Sequence, residues 1–222
     1  MKTKAFALLS LVLLAGFVLA QEPKKEEAKK EEPKKDVPAP VAPPAGASSD
    51  YYPLVKGSKW TYTMGTTEVV VEVESIDAKD GSAKLVTKHQ GKPVASETIL
   101  VKADGIYRTK INDTAIDGAG IKILGLKDGK PTKGEKWAIA AKVQQSEVKG
   151  EFETKELEAV IKSPAGADLK AVFVEGPKFT IAGTETAVKY YFVPKQGIVQ
   201  LSYTIGGTES APLQLKSYEL AK

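Results

Sequence analysis

From residue 49 onward the chain is expected to be all-β, an antiparallel meander of about ten to twelve strands. Three observations carry that expectation. Apolar residues recur at every second position: Val69, Val71 and Val73 share one face while Glu68, Glu72 and Glu74 take the other, and Val199, Leu201, Tyr203 and Ile205 alternate with Gln200, Ser202 and Thr204. A period of two, apolar on one side only, marks half-buried strands of an antiparallel sheet. Turn residues return at hairpin spacing, and the composition is rich in valine, threonine, tyrosine and isoleucine punctuated by glycine. Such a meander closes either into a curved half-barrel or into a barrel-like sandwich.

In chain order, strands are expected near 59–64, 67–77, 82–89, 94–102, 105–111, 120–126, 136–149, 151–162, 169–176, 178–193, 197–205 and 208–220. Lys79-Asp80-Gly81, Gln90-Gly91-Lys92-Pro93 and Ala103-Asp104-Gly105 separate the early ones. Lys127-Asp128-Gly129-Lys130-Pro131, Ser163-Pro164-Ala165-Gly166 and Ile205-Gly206-Gly207-Thr208 separate the later ones. Glycine supplies the positive φ that tight hairpins demand. Between Phe152 and Ile161 the apolar phase slips by an odd number of residues, which predicts a β-bulge or a break. The composition of the same stretch, Lys149 to Lys162, also suits a helix.

Upstream of the β domain the sequence has a different character. Lys2 and Lys4 precede an apolar stretch from Ala5 to Ala20, which ends on Val18-Leu19-Ala20 before Gln21-Glu22-Pro23. This is the layout of a secretory signal, with cleavage expected between Ala20 and Gln21. Sixteen apolar positions fall short of the roughly 20 that span a bilayer as a helix, so no stable membrane anchor is expected after cleavage. The destination is periplasmic or extracellular. Residues 21–48 form a linker: Glu22 to Asp36 reads EPKKEEAKKEEPKKD, and Val37 to Ala47 reads VPAPVAPPAGA. The first part lacks the apolar surface to offset the entropy of ordering, and the second favours an extended spacer. The expected organisation is therefore signal peptide 1–20, disordered linker 21–48 and β domain 49–222.

Composition excludes several classes of function. No cysteine is present, so neither a disulfide nor a lipid-modified cysteine can form. Of the 32 basic residues, Lys2 and Lys4 leave with the signal, so 30 face 28 acids and the mature charge is nearly balanced. Arg108 is the only arginine and no basic face is apparent, which argues against nucleic-acid binding. His89 is the only histidine, and the sequence nominates neither an acid to orient it nor a nucleophile for it to activate. Zinc has no ligand set. The oxygens of Asp77, Asp80, Asn112, Asp113 and Asp117 lie in turn sequences rather than in a calcium loop. Gly118-Ala119-Gly120 lacks the lysine and hydroxyl of a phosphate loop and reads as a crossover. No enzyme activity, cofactor or metal is expected.

Lys56-Gly57-Ser58-Lys59-Trp60 recurs as Lys133-Gly134-Glu135-Lys136-Trp137, 77 residues later. One reading is a duplicated half-domain with paired ligand-facing aromatics, and the other is two tryptophans that plug the core after a tight turn. Trp60, Tyr62, Trp137, Tyr190 and Phe192 are the candidate groove or core aromatics. The segment Tyr51-Tyr52-Pro53-Leu54, followed by Gly57, Trp60 and Tyr62, resembles the start of a broad set of uncharacterised exported bacterial proteins. Tyr191-Phe192-Val193-Pro194-Lys195-Gln196-Gly197-Ile198-Val199 resembles their C-terminal hairpin, with Lys195-Gln196 in place of glycine and valine. Ser163-Pro164-Ala165-Gly166 is similar to their V-P-A-G turn, with serine departing from it. The resemblance implies a curved antiparallel sheet similar to the lipoprotein-carrier half-barrels, and no activity. The expected function is binding or carriage of an apolar ligand (lipid, acyl chain or peptide) in the envelope. The alternative is a structural or protein-interaction module spaced from a surface by its charged, proline-rich arm.

Overall fold

A computed structural model describes residues 48–221; the signal sequence, its cleavage point and all but the end of the linker lie outside the described residues. The β domain contains β1 (Lys59–Met64), β2 (Thr67–Ile76), β3 (Ala83–His89), β4 (Lys92–Lys102), β5 (Gly105–Ile111), β6 (Thr114–Ala115) and β7 (Ile121–Gly125). These are followed by β8 (Lys136–Val143), β9 (Ser146–Lys162), β10 (Asp168–Ile181), β11 (Thr184–Val193), β12 (Gly197–Ile205), β13 (Thr208–Glu209) and β14 (Leu213–Glu219). All 14 belong to one sheet ordered β6-β5-β4-β3-β2-β1-β14-β12-β11-β10-β9-β8, with β7 on β5 and β13 on β12. Every pairing is antiparallel.

The two ends of the sheet nearly meet, so the domain is barrel-like. Ile116, just after β6, forms a bridge with Val143 at the end of β8. The Asp117 N–H donates to the Lys142 carbonyl (2.9 Å) and the Trp137 indole donates to the Lys122 carbonyl of β7 (2.9 Å). Closure of this kind leaves little free strand edge to template association.

The count exceeds ten to twelve because β6 and β13 are two-residue returns too short to show a period; two expected strands are also divided, but the piece cut from each joins its neighbour and leaves the count unchanged. The expected strand 136–149 turns at Gln144-Gln145, and 178–193 turns at Ala182-Gly183. Ala182 and Gln144 take φ of +50° and +56° without being glycine, so neither turn carried the usual signal. Pro177, where a break was expected, sits inside β10, in a register shift between Gly176 and Phe179. A bulge tolerates the missing N–H that a regular ladder would not. The stretch Lys149 to Lys162 is strand, not helix. Its phase slip appears as register shifts against Ala171, Phe173 and Val174, where β9 carries extra residues.

The domain is built of two equivalent halves. In each, five strands meander (β1–β5 and β8–β12), a two-residue strand folds back on the fifth (β6, β13), and a seventh strand pairs with that same fifth strand (β7, β14). The seventh strand then lies beside the first strand of the other half: β14 pairs with β1, and β7 packs against β8. The turns match as well. Gln90-Gly91 answers to Ala182-Gly183, and Asn112-Asp113 to Gly206-Gly207, each pair with positive φ at both residues.

The repeated lysine-glycine sequence makes the same local structure twice. Ser58 donates to the Val55 carbonyl (3.0 Å) as Glu135 does to that of Thr132 (3.1 Å). Gly57 donates to the Val73 carbonyl (2.9 Å) and Val73 donates back to that of Ser58 (3.0 Å), as Gly134 donates to that of Thr154 (2.7 Å) and Thr154 back to that of Glu135 (2.9 Å). Gly57 and Gly134 stand third in these turns at φ +88° and +79°, where an L-residue is strained. A Cβ at either would meet no atom closer than 3.6 Å. Gly57→Ala and Gly134→Ala are therefore expected to cost similar amounts, about 1 kcal/mol each, measurable by urea denaturation. A cost confined to one of them would argue against equivalent turns.

Candidate functional site

The interior is largely apolar, with scattered serine and threonine side chains and one buried ion pair. Paired residues on neighbouring antiparallel strands share a face, and this register decides which side chains point inward. Glu97 on β4 lies opposite buried Leu85, and Arg108 on β5 lies opposite buried Ile99 and Ile121. Both therefore face the core. Arg108 is 8 % exposed, and its Nε donates to Glu97 Oε2 at 2.6 Å. The backbone under Arg108 is equally close-packed: a Cβ on Gly120 would stand 2.4 Å from the Arg108 carbonyl oxygen.

Four tyrosines surround this ion pair. Tyr62 lies opposite Val69 and Leu215, Tyr190 opposite Val174 and Leu201, Tyr203 opposite Val188, and Tyr52 packs from the entering segment with its ring 5.8 Å from that of Trp60. All four are buried. Tyr62 donates to the Ile198 carbonyl at 2.8 Å. Burial above all, then the Glu97 carboxylate, raises the pKa of Tyr52 and Tyr62. Burial and the neighbouring Tyr190 do the same for Tyr203. For Arg108, burial opposes the charge, but Glu97, Tyr190 and Tyr203 hold its pKa well above the ordinary value. The cluster joins both halves: Glu97 and Arg108 come from the first, Tyr190 and Tyr203 from the second.

Burying a charged pair costs more desolvation than its attraction usually returns, and apolar residues of similar volume are often as stable. The arrangement holds a compensated ion pair beside phenol hydroxyls among apolar side chains. It contains no nucleophile paired with a base.

Both tryptophans of the repeat lie in the packed interior. Trp60 is fully buried and donates to the Gln196 carbonyl at 2.6 Å. Trp137 stacks on Phe152 at 6.1 Å, and Phe152 also meets Phe179 and Tyr190 at 5.4 and 6.2 Å. Tyr190 stacks on Phe192 at 5.8 Å. The structure thus brings Tyr62, Tyr190 and Phe192 to the region of the ion pair and makes the tryptophans core anchors. His89, at the end of β3, has Nδ1 2.9 Å from the Glu68 carbonyl. Among the described residues, no group of three or more His, Asp or Glu is placed to hold a metal ion.

Glu97, Arg108, Tyr52 and Tyr203 were not nominated from the sequence as site residues. Their signal was the period of two itself: Arg108 is in phase with Ile106, and Glu97 with Ile99, so a charge sits on an apolar face in two consecutive strands. On the outside, an open hollow of about 930 Å³ lies over β1, β2, β3 and β14, lined among others by Thr61, Val70, Glu72 and Lys88. Two of its acids are paired, Glu72 with Lys88 at 2.8 Å and Glu68 with Lys216 at 2.6 Å.

The fold and its site define a closed-up antiparallel β domain with a polar centre in an apolar interior. Its likeness to known proteins is one of fold. No family model matches the chain, and no curated sequence does. Among solved structures it is similar to a Bacteroides fragilis protein described as exported and as having a YmcC-like fold. The TM-score is 0.51 at 13 % identity, over 77 % of this chain and 99 % of that one. A Parabacteroides distasonis protein described as a lipoprotein gives a TM-score of 0.49 at 10 % identity, over 78 % and 99 %.

Proposed function

We propose that this is an exported, non-enzymatic binding domain of the cell envelope, periplasmic or extracellular, whose interior takes up the apolar part of a lipid, acyl chain or peptide. The N-terminal sequence supports export, and the Bacteroides fragilis protein of like fold is itself described as exported. One observation carries the binding reading: an ion pair and four tyrosines lie buried among side chains that are largely apolar. Surroundings of that composition match a ligand with a long apolar part and few polar atoms. Native mass spectrometry of protein purified without detergent from an envelope fraction is expected to show a non-covalent adduct of lipid mass, removed by organic extraction. Uniformly bare protein that also takes up no added amphiphile would remove the reading.

A second reading, an interaction module held off a surface by residues 21–48, is favoured by apolar side chains on β9. Val160 is 65 % exposed and Leu157 41 %. Capture of an envelope protein that is lost on deleting 21–48 would support it.

A further inference from the structure

We propose that Arg108 is the anchor for an anionic head group, a carboxylate or phosphate monoester carried on an apolar chain; this rests on the binding reading above and specifies its ligand. The argument is a balance of donors and acceptors. A guanidinium presents five N–H donors. In Arg108 the Nε–H is spent on Glu97, and among the described residues no hydrogen bond reaches the two Nη groups. The Tyr62 hydroxyl is spent on the Ile198 carbonyl, whereas none from a described residue reaches that of Tyr52.

The side-chain atoms sealed from solvent without a partner, among the described residues, are Glu135 Oε2 and Thr154 Oγ1. Neither the Arg108 Nη groups nor the Tyr52 hydroxyl is among them, so both face space that water or the polar end of a ligand can enter. As acceptors the cluster offers Glu97 Oε1 and the phenol oxygens, but none of these is hydrogen-bonded to the Arg108 Nη groups. The unbonded N–H groups of a guanidinium call for a ligand rich in acceptors. Arginine meets planar carboxylates and phosphates through paired N–H groups, which the two Nη atoms leave available. Apolar side chains adjoin the cluster: Ile99 and Ile106 are fully buried beside it, and Leu85 nearly so. The rest of the ligand is therefore apolar, and Glu97 keeps Arg108 compensated when the site is empty.

The test compares dodecanoate, dodecyl phosphate, dodecanol and inorganic phosphate by isothermal titration calorimetry on the mature protein and on the double variant E97Q/R108Q. That variant removes both charges together and leaves no orphaned ion. Wild type is expected to bind the two anionic amphiphiles at least tenfold more tightly than dodecanol, and E97Q/R108Q to bind all three within about twofold of one another. Dodecanol binding without an anionic preference, or a preference that survives in E97Q/R108Q, overturns the anchor while leaving the binding reading intact. Binding of none of the amphiphiles overturns both. Inorganic phosphate binding as tightly as dodecyl phosphate assigns the centre to a free anion and overturns the lipid form.

Discussion

Arg108→Met is expected to destabilise the domain by about 3–5 kcal/mol, because it leaves the Glu97 carboxylate in the interior with no countercharge. The ion pair is short (2.6 Å), and its side chains are only 10 % and 14 % exposed, so solvent screens it little. Replacing both partners with apolar residues removes the orphan. The double variant E97L/R108M should return to within about 1 kcal/mol of wild type, as apolar substitutes for buried pairs often do. Urea denaturation of wild type, the two single variants and the double variant forms a complete cycle. Single and double variants that lose stability additively would show that the two groups are not coupled, and the cluster would lose its physical basis. Recovery in the double variant together with loss of head-group preference would separate the pair's role in binding from its role in folding.

Raising the pH above about 10 should unfold the protein steeply. Tyr52, Tyr62 and Tyr203 are buried, and burial first of all holds their hydroxyls protonated beyond the usual tyrosine range. In the unfolded chain the same groups ionise near pH 10. Below that pH both states bind these protons equally and the contribution is constant. Above it the unfolded state sheds protons that the fold retains, so stability falls as pH rises. The slope approaches about 1.4 kcal/mol per pH unit for each tyrosine, or about 4 for the three together. Denaturation midpoints measured between pH 8 and 12, alongside tyrosinate absorbance, test this. Tyrosinate absorbance equal to all eight tyrosines near pH 10, in a protein whose sheet signal is unchanged, would show the buried hydroxyls to be accessible, contrary to the structure.

Much of the scaffold was legible because a period of two in the side chains states which face is buried, and glycine states where the chain reverses. β1 and β5 fall where alternation and turns place them, and the phase slip in β9 emerges as a bulge. Alternation is silent on the turns at Gln144 and Ala182, where ordinary residues adopt positive φ under constraint from the paired strands. The candidate site was harder to see for a different reason. Glu97 lies within β4, Arg108 within β5, and Tyr203 almost a hundred residues further on, so only the folded register brings them together. The lone arginine drew notice for what it excluded, nucleic-acid binding, although its alignment with Ile106 already placed a charge on a buried face.

The seven-strand repeat also bears on where such a domain comes from. Each half ends in a strand whose neighbour is the opening strand of the other half. A polypeptide of half the length would end with that strand unmatched, and the complementary surface would be found on a second copy of itself. Such a half would complete itself only as a symmetric pair, and the covalent join of the two halves makes that assembly independent of concentration. Once joined, the copies are free to diverge at single positions, and the charged residues contributed by one half alone are the kind of asymmetry that a homodimer could not hold.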